Sequence, residues 1–311
     1  MELNEPQGAF GYLNEAAPQH LEVNSFEVFE VPRFIATGAG PHTWSLLEKN
    51  FSNTLDVVQE IAWKINVNIR DLGYAGLKDR KGKTLQWLSS PAPPPQKGNG
   101  WKILLSLQSQ KKLKRGNLLG NWFIIKMKKN LKPFSLKMVP NFFGPQRFSK
   151  SNHIIGRHLI KGERKEALSL MRKQRIPFTR KYFVLMEDAY TSYLFNKVLS
   201  MRLKSPSLSG DLVGKRGVTG PVFGRKLPMP EGAAGEIEEK VLSEEGLTLR
   251  DFPGDGKRRP LFIEPKGFSI KKNQVKFFLP KGSYATIVLR EISKEEGISW
   301  NVAHPTSSSS S

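Results

Sequence analysis

The sequence predicts an α+β protein, with strand-forming and helix-forming stretches kept apart along the chain. Strand-like runs crowd into residues 25–128 and return at 274–290, while long helical periodicities occupy 151–202. Gly- and Pro-rich loops around 210–235 separate the helical region from the C-terminal strands.

The elements follow in order. Ser25 to Val31 alternates apolar and polar residues, the period of a half-buried strand. Ser52, Asn53 or Thr54 then caps a helix with Leu55, Val58, Ile61, Ala62 and Ile65 on one face. Strand-like runs at Arg70–Ala75 and Thr84–Ser89 flank a loop, as the arms of a hairpin would. Pro91–Gly100 is too rich in Pro and Gly for regular structure and reads as a stiff surface excursion. Two more strands are expected at Trp101–Leu107 and Trp122–Lys128, separated by the basic turn Lys111–Gly116. Helices are expected at Ser151–Leu159, Glu163–Gln174, Val184–Arg202 and, shorter, Glu236–Glu245. Strand signals resume at Gln274–Leu279 and Ala285–Arg290, around the turn Pro280–Ser283. No internal repeat is visible, and the Ser-rich tail 304–311 reads as disordered.

Composition narrows the partners. Lys and Arg total 49 against 28 Asp and Glu, a formal net charge of +21, which points to nucleic acid or an anionic membrane surface. No apolar run approaches the ~20 residues that a spanning helix needs, so nucleic acid is the better reading and no membrane is expected. The start Met1-Glu2-Leu3-Asn4 lacks signal-peptide character, and cysteine is absent; both fit a cytoplasmic protein. No extended exposed apolar patch calls for a second copy, so a monomer is expected.

Gly73-Tyr-Ala-Gly-Leu-Lys-Asp-Arg-Lys81 concentrates the chemistry. It carries one carboxylate, Asp79, among Lys78, Arg80, Lys81 and Lys83 in a Gly-flanked loop. Neighbouring cations favour the ionised carboxylate, leaving Asp79 fit to act as a nucleophile, and they attract a polyanion. A solvated hairpin with a surface salt bridge would have the same composition. In Asn141-Phe-Phe-Gly-Pro-Gln-Arg-Phe148, aromatics alternate with an amide and a guanidinium, which suits a nucleobase: the ring stacks, the amide meets the base edge, and Arg holds phosphate. The same residues would also serve as core around a Gly-Pro turn. The five His residues show no metal-ligand spacing, and no phosphate loop, dinucleotide fingerprint or nucleophile elbow is present. An enzyme built on one Asp, without metal or cofactor, is what remains.

These segments, with Phe278-Leu-Pro-Lys-Gly-Ser-Tyr-Ala-Thr-Ile-Val-Leu-Arg-Glu291, resemble the TruD family of tRNA pseudouridine synthases. Ser25-Phe-Glu-Val-Phe-Glu30 and Leu118-Leu-Gly-Asn-Trp-Phe-Ile124 extend the match, so it is ordered and spans most of the chain. The resemblance implies a pseudouridine synthase catalytic domain, a mixed or antiparallel sheet flanked by helices, formed by residues 1–149 and 274–303. It implies an inserted family-specific α/β domain at 150–273. The implied reaction converts a uridine of tRNA, at position 13, to pseudouridine: the N-glycosidic bond is cleaved, the base rotates, and it rejoins through C5. A stacked target base must first be extruded. Family position puts the nucleophile at Asp79 and substrate contacts at Phe26, Asn141, Phe143 and Tyr284. Lys78, Arg80, Lys81 and Arg147 fall to RNA, with Arg147 alternatively pairing Asp79. Departures from the family pattern are His20 near a usual basic residue, Gly82 for Ala, Ser149 for Gly, and a short 129–139 segment that suggests a trimmed helix. The competing reading is a catalytically idle basic RNA-binding or RNA-folding protein of the same fold.

Overall fold

The computed structural model describes residues 23–78 and 82–295. His20, Asp79, Arg80, Lys81 and the tail lie outside the described residues. The first half of the chain forms β1 (Val23–Pro32), β2 (His42–Asn50), α1 (Thr54–Lys64), β3 (Gly73–Tyr74), β4 (Lys83–Ser90), β5 (Lys97–Gly98), β6 (Trp101–Ser109) and β7 (Leu118–Met127). A short β8 (Val139–Pro140) precedes α2 (Asn152–Ile160), α3 (Arg164–Lys173) and α4 (Arg180–Arg202). There follow β9 (Val213–Gly214), β10 (Gly217–Val222), α5 (Gly232–Glu244), β11 (Lys257–Pro260), β12 (Phe262–Ile263), β13 (Lys266–Lys271), β14 (Gln274–Pro280) and α6 (Ala285–Glu295). The α+β class stands.

Contacts divide the chain into two compact units. Among the described residues, one comprises 23–78, 82–136 and 265–283, and the other 137–264 and 284–295. Residues 137–149 and 284–295, which the sequence reading groups with the catalytic sheet, share contacts with the helices instead.

The first unit is built on a nine-stranded mixed sheet in the order β13-β14-β7-β1-β4-β2-β6-β5, with β3 pairing β4 outside that path. Only β1 and β4 run parallel, Glu27 opposite Lys83, so β1 sits centrally between a parallel and an antiparallel neighbour. Strand β2 is not legible as alternation, because it is covered on both faces. Trp44 and Glu48 are buried on one side and Ser45, Leu47 and Lys49 on the other. Helix α1 buries Val57, Val58, Ile61 and Ala62 against Leu47, Leu88, Trp101 and Ile103. Leu55, placed on the apolar face by periodicity, is exposed. The expected strand at Arg70–Ala75 shrinks to β3. Asn68 Oδ1 accepts the Arg70 N–H and winds residues 69–71 into a 3₁₀ turn first. Within Pro91–Gly100 the pair β5 adds a short hydrogen-bonded step against β6. No helix occupies 128–138.

The second unit centres on α4. Tyr190, Leu194 and Val198 pack with Phe223, Val241, Leu242 and Phe252, while Phe195 and Leu199 pack with Phe142, Phe143, Phe148, Leu261 and Ile287. The last of these residues corrects an expectation: Ala285–Arg290 is helical. A short β-branched apolar run does not distinguish strand from buried helix, and here Val288, Leu289 and Ile292 are buried at helical spacing. Bidentate ion pairs, Arg202–Asp211 and Arg258–Glu238, brace α4 and α5.

Phe277 on β14 is fully buried against Phe123 and Phe268. Phe277→Ala is expected to lower unfolding free energy by about 3–5 kcal/mol in urea titrations. A loss under about 1 kcal/mol would mean that the sheet face is not packed there.

Candidate active site

In the sheet unit the residue before Asp79 faces inward. Lys78, expected to meet RNA, has a side chain only 9% exposed, and its Nζ lies 3.1 Å from Oε2 of the fully covered Glu30 on β1. The same ammonium donates to Asn121 Oδ1 on β7. Its backbone is held too: the Lys78 N–H donates to Thr54 Oγ1 at 3.0 Å, and Thr54 Oγ1 donates to Gln86 Oε1 at 2.9 Å. Three segments that the sequence marks separately, around Glu30, Lys78 and Asn121, thus meet at one buried ion pair. Burial pushes the Glu30 carboxyl up, and the Lys78 charge opposes that shift. Lys78 therefore anchors the segment leading to Asp79 and is not presented to solvent.

On the far side of that loop, Gly82 has φ +96°. A Cβ there would lie 2.3 Å from the Phe26 carbonyl oxygen, which explains glycine where alanine is expected. Phe26 itself is half-buried, its ring edge-on to Phe123 at 5.8 Å.

The helical unit gathers Asn141, Phe143, Arg147 and Tyr284. The Asn141 backbone N–H bonds Leu261 O, its Nδ2 donates to Pro260 O, and its Oδ1 accepts from Arg259 Nη2 at 2.8 Å. Asn141 O accepts from the same guanidinium. Phe143 is pinned through both backbone groups to the Asn196 amide, and its ring meets Phe195 edge-on at 5.4 Å and Tyr284 at 6.1 Å. Phe142 and Phe148 are plain core. Arg147 donates to Ser192 Oγ and pairs with Asp188 at 3.2 Å, with its guanidinium 5.9 Å from the Phe143 ring.

Sequence reasoning missed Arg259. Its guanidinium sits 4.1 Å over the Phe143 ring centre. Burial first, then repulsion from Arg216 and Arg147, brings its pKa down to about 10. No local pattern marks it, since it contacts Asn141 across 118 residues from within a polar Gly-rich run. His153 is packed: it stacks on Tyr193, and burial lowers its pKa to about 4. His158 pairs with Glu163. Among the described residues no cluster of His, Asp or Glu could hold a metal ion, and no helix is long and apolar enough to cross a membrane.

A nine-stranded mixed sheet in one unit and a helical unit in which a guanidinium covers an aromatic ring define an α+β protein. The comparisons narrow the class. The model of the family described as tRNA pseudouridine synthase D (TruD) matches residues 19–183 and 213–292. The tRNA pseudouridine synthase D of Anaeromyxobacter dehalogenans is 32% identical, covering 87% of this chain and 91% of that protein. That of Thermus thermophilus is 31% identical, covering 92% and 91%. A solved structure of the putative tRNA pseudouridine synthase D from Methanosarcina mazei has the same fold, with TM-score 0.66 and 20% identity over 90% of this chain and 94% of that one. The chain belongs to the tRNA pseudouridine synthase D family.

Lys78→Met leaves the Glu30 charge buried without its cation, so it is expected to cost about 3–5 kcal/mol of stability at neutral pH. The folded-state pKa of Glu30, already raised, rises further in the variant. A raised carboxyl contributes stability below its unfolded pKa and loses it as pH climbs through the folded value. The deficit against wild type should therefore shrink as the medium is acidified, as read by urea unfolding at neutral and acidic pH. A deficit that does not change with pH would exclude the ion pair as its cause.

Proposed function

We propose that this chain isomerises a uridine of tRNA, the one at position 13 of the D-arm, to pseudouridine, with Asp79 as the nucleophile. The observation that carries the proposal is the convergence of Glu30, Lys78 and Asn121 on one buried ion pair directly before Asp79 in sequence. Charges removed from water on this scale are costly, and holding the nucleophile's segment in one geometry is a use that justifies retaining them. Family membership supplies the reaction class. Isomerisation breaks the bond from uracil N1 to ribose C1′ and joins C1′ to C5, with C5 giving up its proton and N1 gaining one; it consumes no redox or group-transfer partner. Asp79 serves as the covalent catalyst, and Arg80 and Lys81 meet the phosphate backbone. Lys78 acts from inside the sheet rather than on RNA.

Phe143 and Tyr284 form an aromatic wall for the extruded base in this reading; Phe26, on β1 of the sheet unit, is a substrate contact on the strength of its family position alone. Asn141, whose amide is committed to Pro260 and Arg259, sets the guanidinium over Phe143 and through it shapes the base-edge contacts. Arg147 holds the flipped nucleotide's phosphate.

Pseudouridine mapping on tRNA transcripts tests the proposal. Wild type should yield one new pseudouridine at position 13, and Asp79→Asn should abolish it while tRNA affinity stays near wild type. Tight RNA binding without product from wild type would favour an idle RNA-binding protein. Phe143→Leu keeps the buried volume but loses the stacking face, worth about 1–3 kcal/mol, so kcat/KM should fall about 5- to 150-fold. An unchanged kcat/KM would remove Phe143 from the pocket.

A further inference from the structure

We propose that a groove on the sheet unit binds an unstacked nucleotide of the RNA substrate, its base against Tyr74 and Arg115 and its phosphodiester on Arg70 and Lys114. The proposal rests on the RNA-substrate reading above and adds to it a second contact, outside the aromatic motif.

The groove lies where the basic turn Lys111–Gly116 folds against β3. Glycine is required at 73, since a Cβ would sit 2.2 Å from the Leu113 carbonyl oxygen. The turn is tied down at several points: Gly116 N–H to Ala75 O at 2.8 Å, Leu113 N–H to Ser89 Oγ at 2.9 Å, and Lys114 N–H to Asn117 Oδ1 at 2.7 Å. Lys112 Nζ donates to the Arg70 carbonyl and closes one end. The result is a concavity of about 380 Å³ with an apolar floor of Ile69, Leu72 and Leu113 and a wall at Tyr74. Its volume falls in the range of ~300–1,000 Å³ usual for small-ligand sites.

The chemistry of the lining favours a nucleotide. Arg70, Lys112, Lys114 and Arg115 all line the groove, and no carboxylate does. Arg115 lies 5.6 Å over the Tyr74 ring and donates to the Tyr74 hydroxyl at 3.0 Å, presenting a planar guanidinium on an aromatic base. Unstacked bases stack on such planes as they do on aromatic rings. A second concavity in the same unit, about 170 Å³, is lined by Asp56 and Glu60 and has the wrong sign for a polyanion. Position matters as well. Tyr74 and Asp79 are joined by a chain that spans at most about 18 Å when fully extended, so a nucleotide in the groove belongs to the same stretch of RNA as the target uridine. The basic turn then has a use that net charge alone does not explain, which is to fix where the RNA strand enters.

The test uses full-length protein and a tRNA transcript carrying 4-thiouridine. Photocrosslinking followed by peptide mapping should place adducts within residues 69–78 or 112–116. Lys114→Ala with Arg115→Ala should weaken tRNA binding at least tenfold and lower the slope of log K against log salt by about 1–2, one unit per lost phosphate contact. A control that removes two exposed cations of the same unit, Lys97→Ala with Lys129→Ala, should leave both readouts near wild type. Uridine monophosphate should compete only in the millimolar range, which separates a free mononucleotide ligand from a strand of RNA. Absence of adducts in both peptides, or equal effects from groove and control variants, would overturn the proposal. Thermal midpoints of all variants must match wild type, and Lys114→Gln with Arg115→Gln replaces the alanine pair if they do not. Failure of the functional reading is distinct: no pseudouridine forms, while adducts and the affinity loss persist.

Discussion

The ion pair between Lys78 and Glu30, with Asn121 as third member, is the constraint on which the sheet unit of this molecule depends. It ties the central strand β1, its antiparallel neighbour β7, and the loop leaving β3 at one buried point. Two charges withdrawn from water are seldom a net source of stability. Their effect here is geometric: Lys78 is drawn inward and fixed through both backbone and side chain. The mixed sheet serves the same end. A parallel β1–β4 pair flanked by antiparallel strands puts Gly82, just before β4, against the Phe26 carbonyl, and only glycine allows that close passage.

The helical unit solves a related problem with a cation over an aromatic ring. Arg259 is half-buried, its pKa lowered by desolvation and by neighbouring arginines, and its guanidinium is spread over Phe143 while bonding both oxygens of Asn141. A guanidinium suits this place better than an ammonium, because it is planar, weakly hydrated and able to stack while donating in plane. The aromatic motif is thereby two things at once. Phe142 and Phe148 are core; Phe143 is buried with them, and its ring also carries the Arg259 guanidinium.

Much of this was legible and some was not. The strands with one solvated face, the long helices, the basic balance and the ordered motifs all follow from local pattern. Strand β2 hides because burial on both faces erases alternation. Helix α6 hides because Ile287, Val288 and Leu289 suit either structure until burial at Ile292 selects the helix. Lys78 was legible as charge but not as direction, since a lysine in a basic loop reads the same whether it faces RNA or a buried glutamate. Arg259 left no trace at all, because its partner is distant in sequence.

The sequence by itself determined the class of fold, the family, the polyanionic partner and the identity of Asp79 as the one carboxylate in its loop. These are properties of residue type and order. Tertiary structure decided which polar groups face inward: that Lys78 anchors, that Asn141 supports a guanidinium, and that a basic turn and β3 enclose a groove. Direction of this kind depends on contacts between residues far apart in the chain, where desolvation and pairing settle each group's role, and no local pattern encodes them.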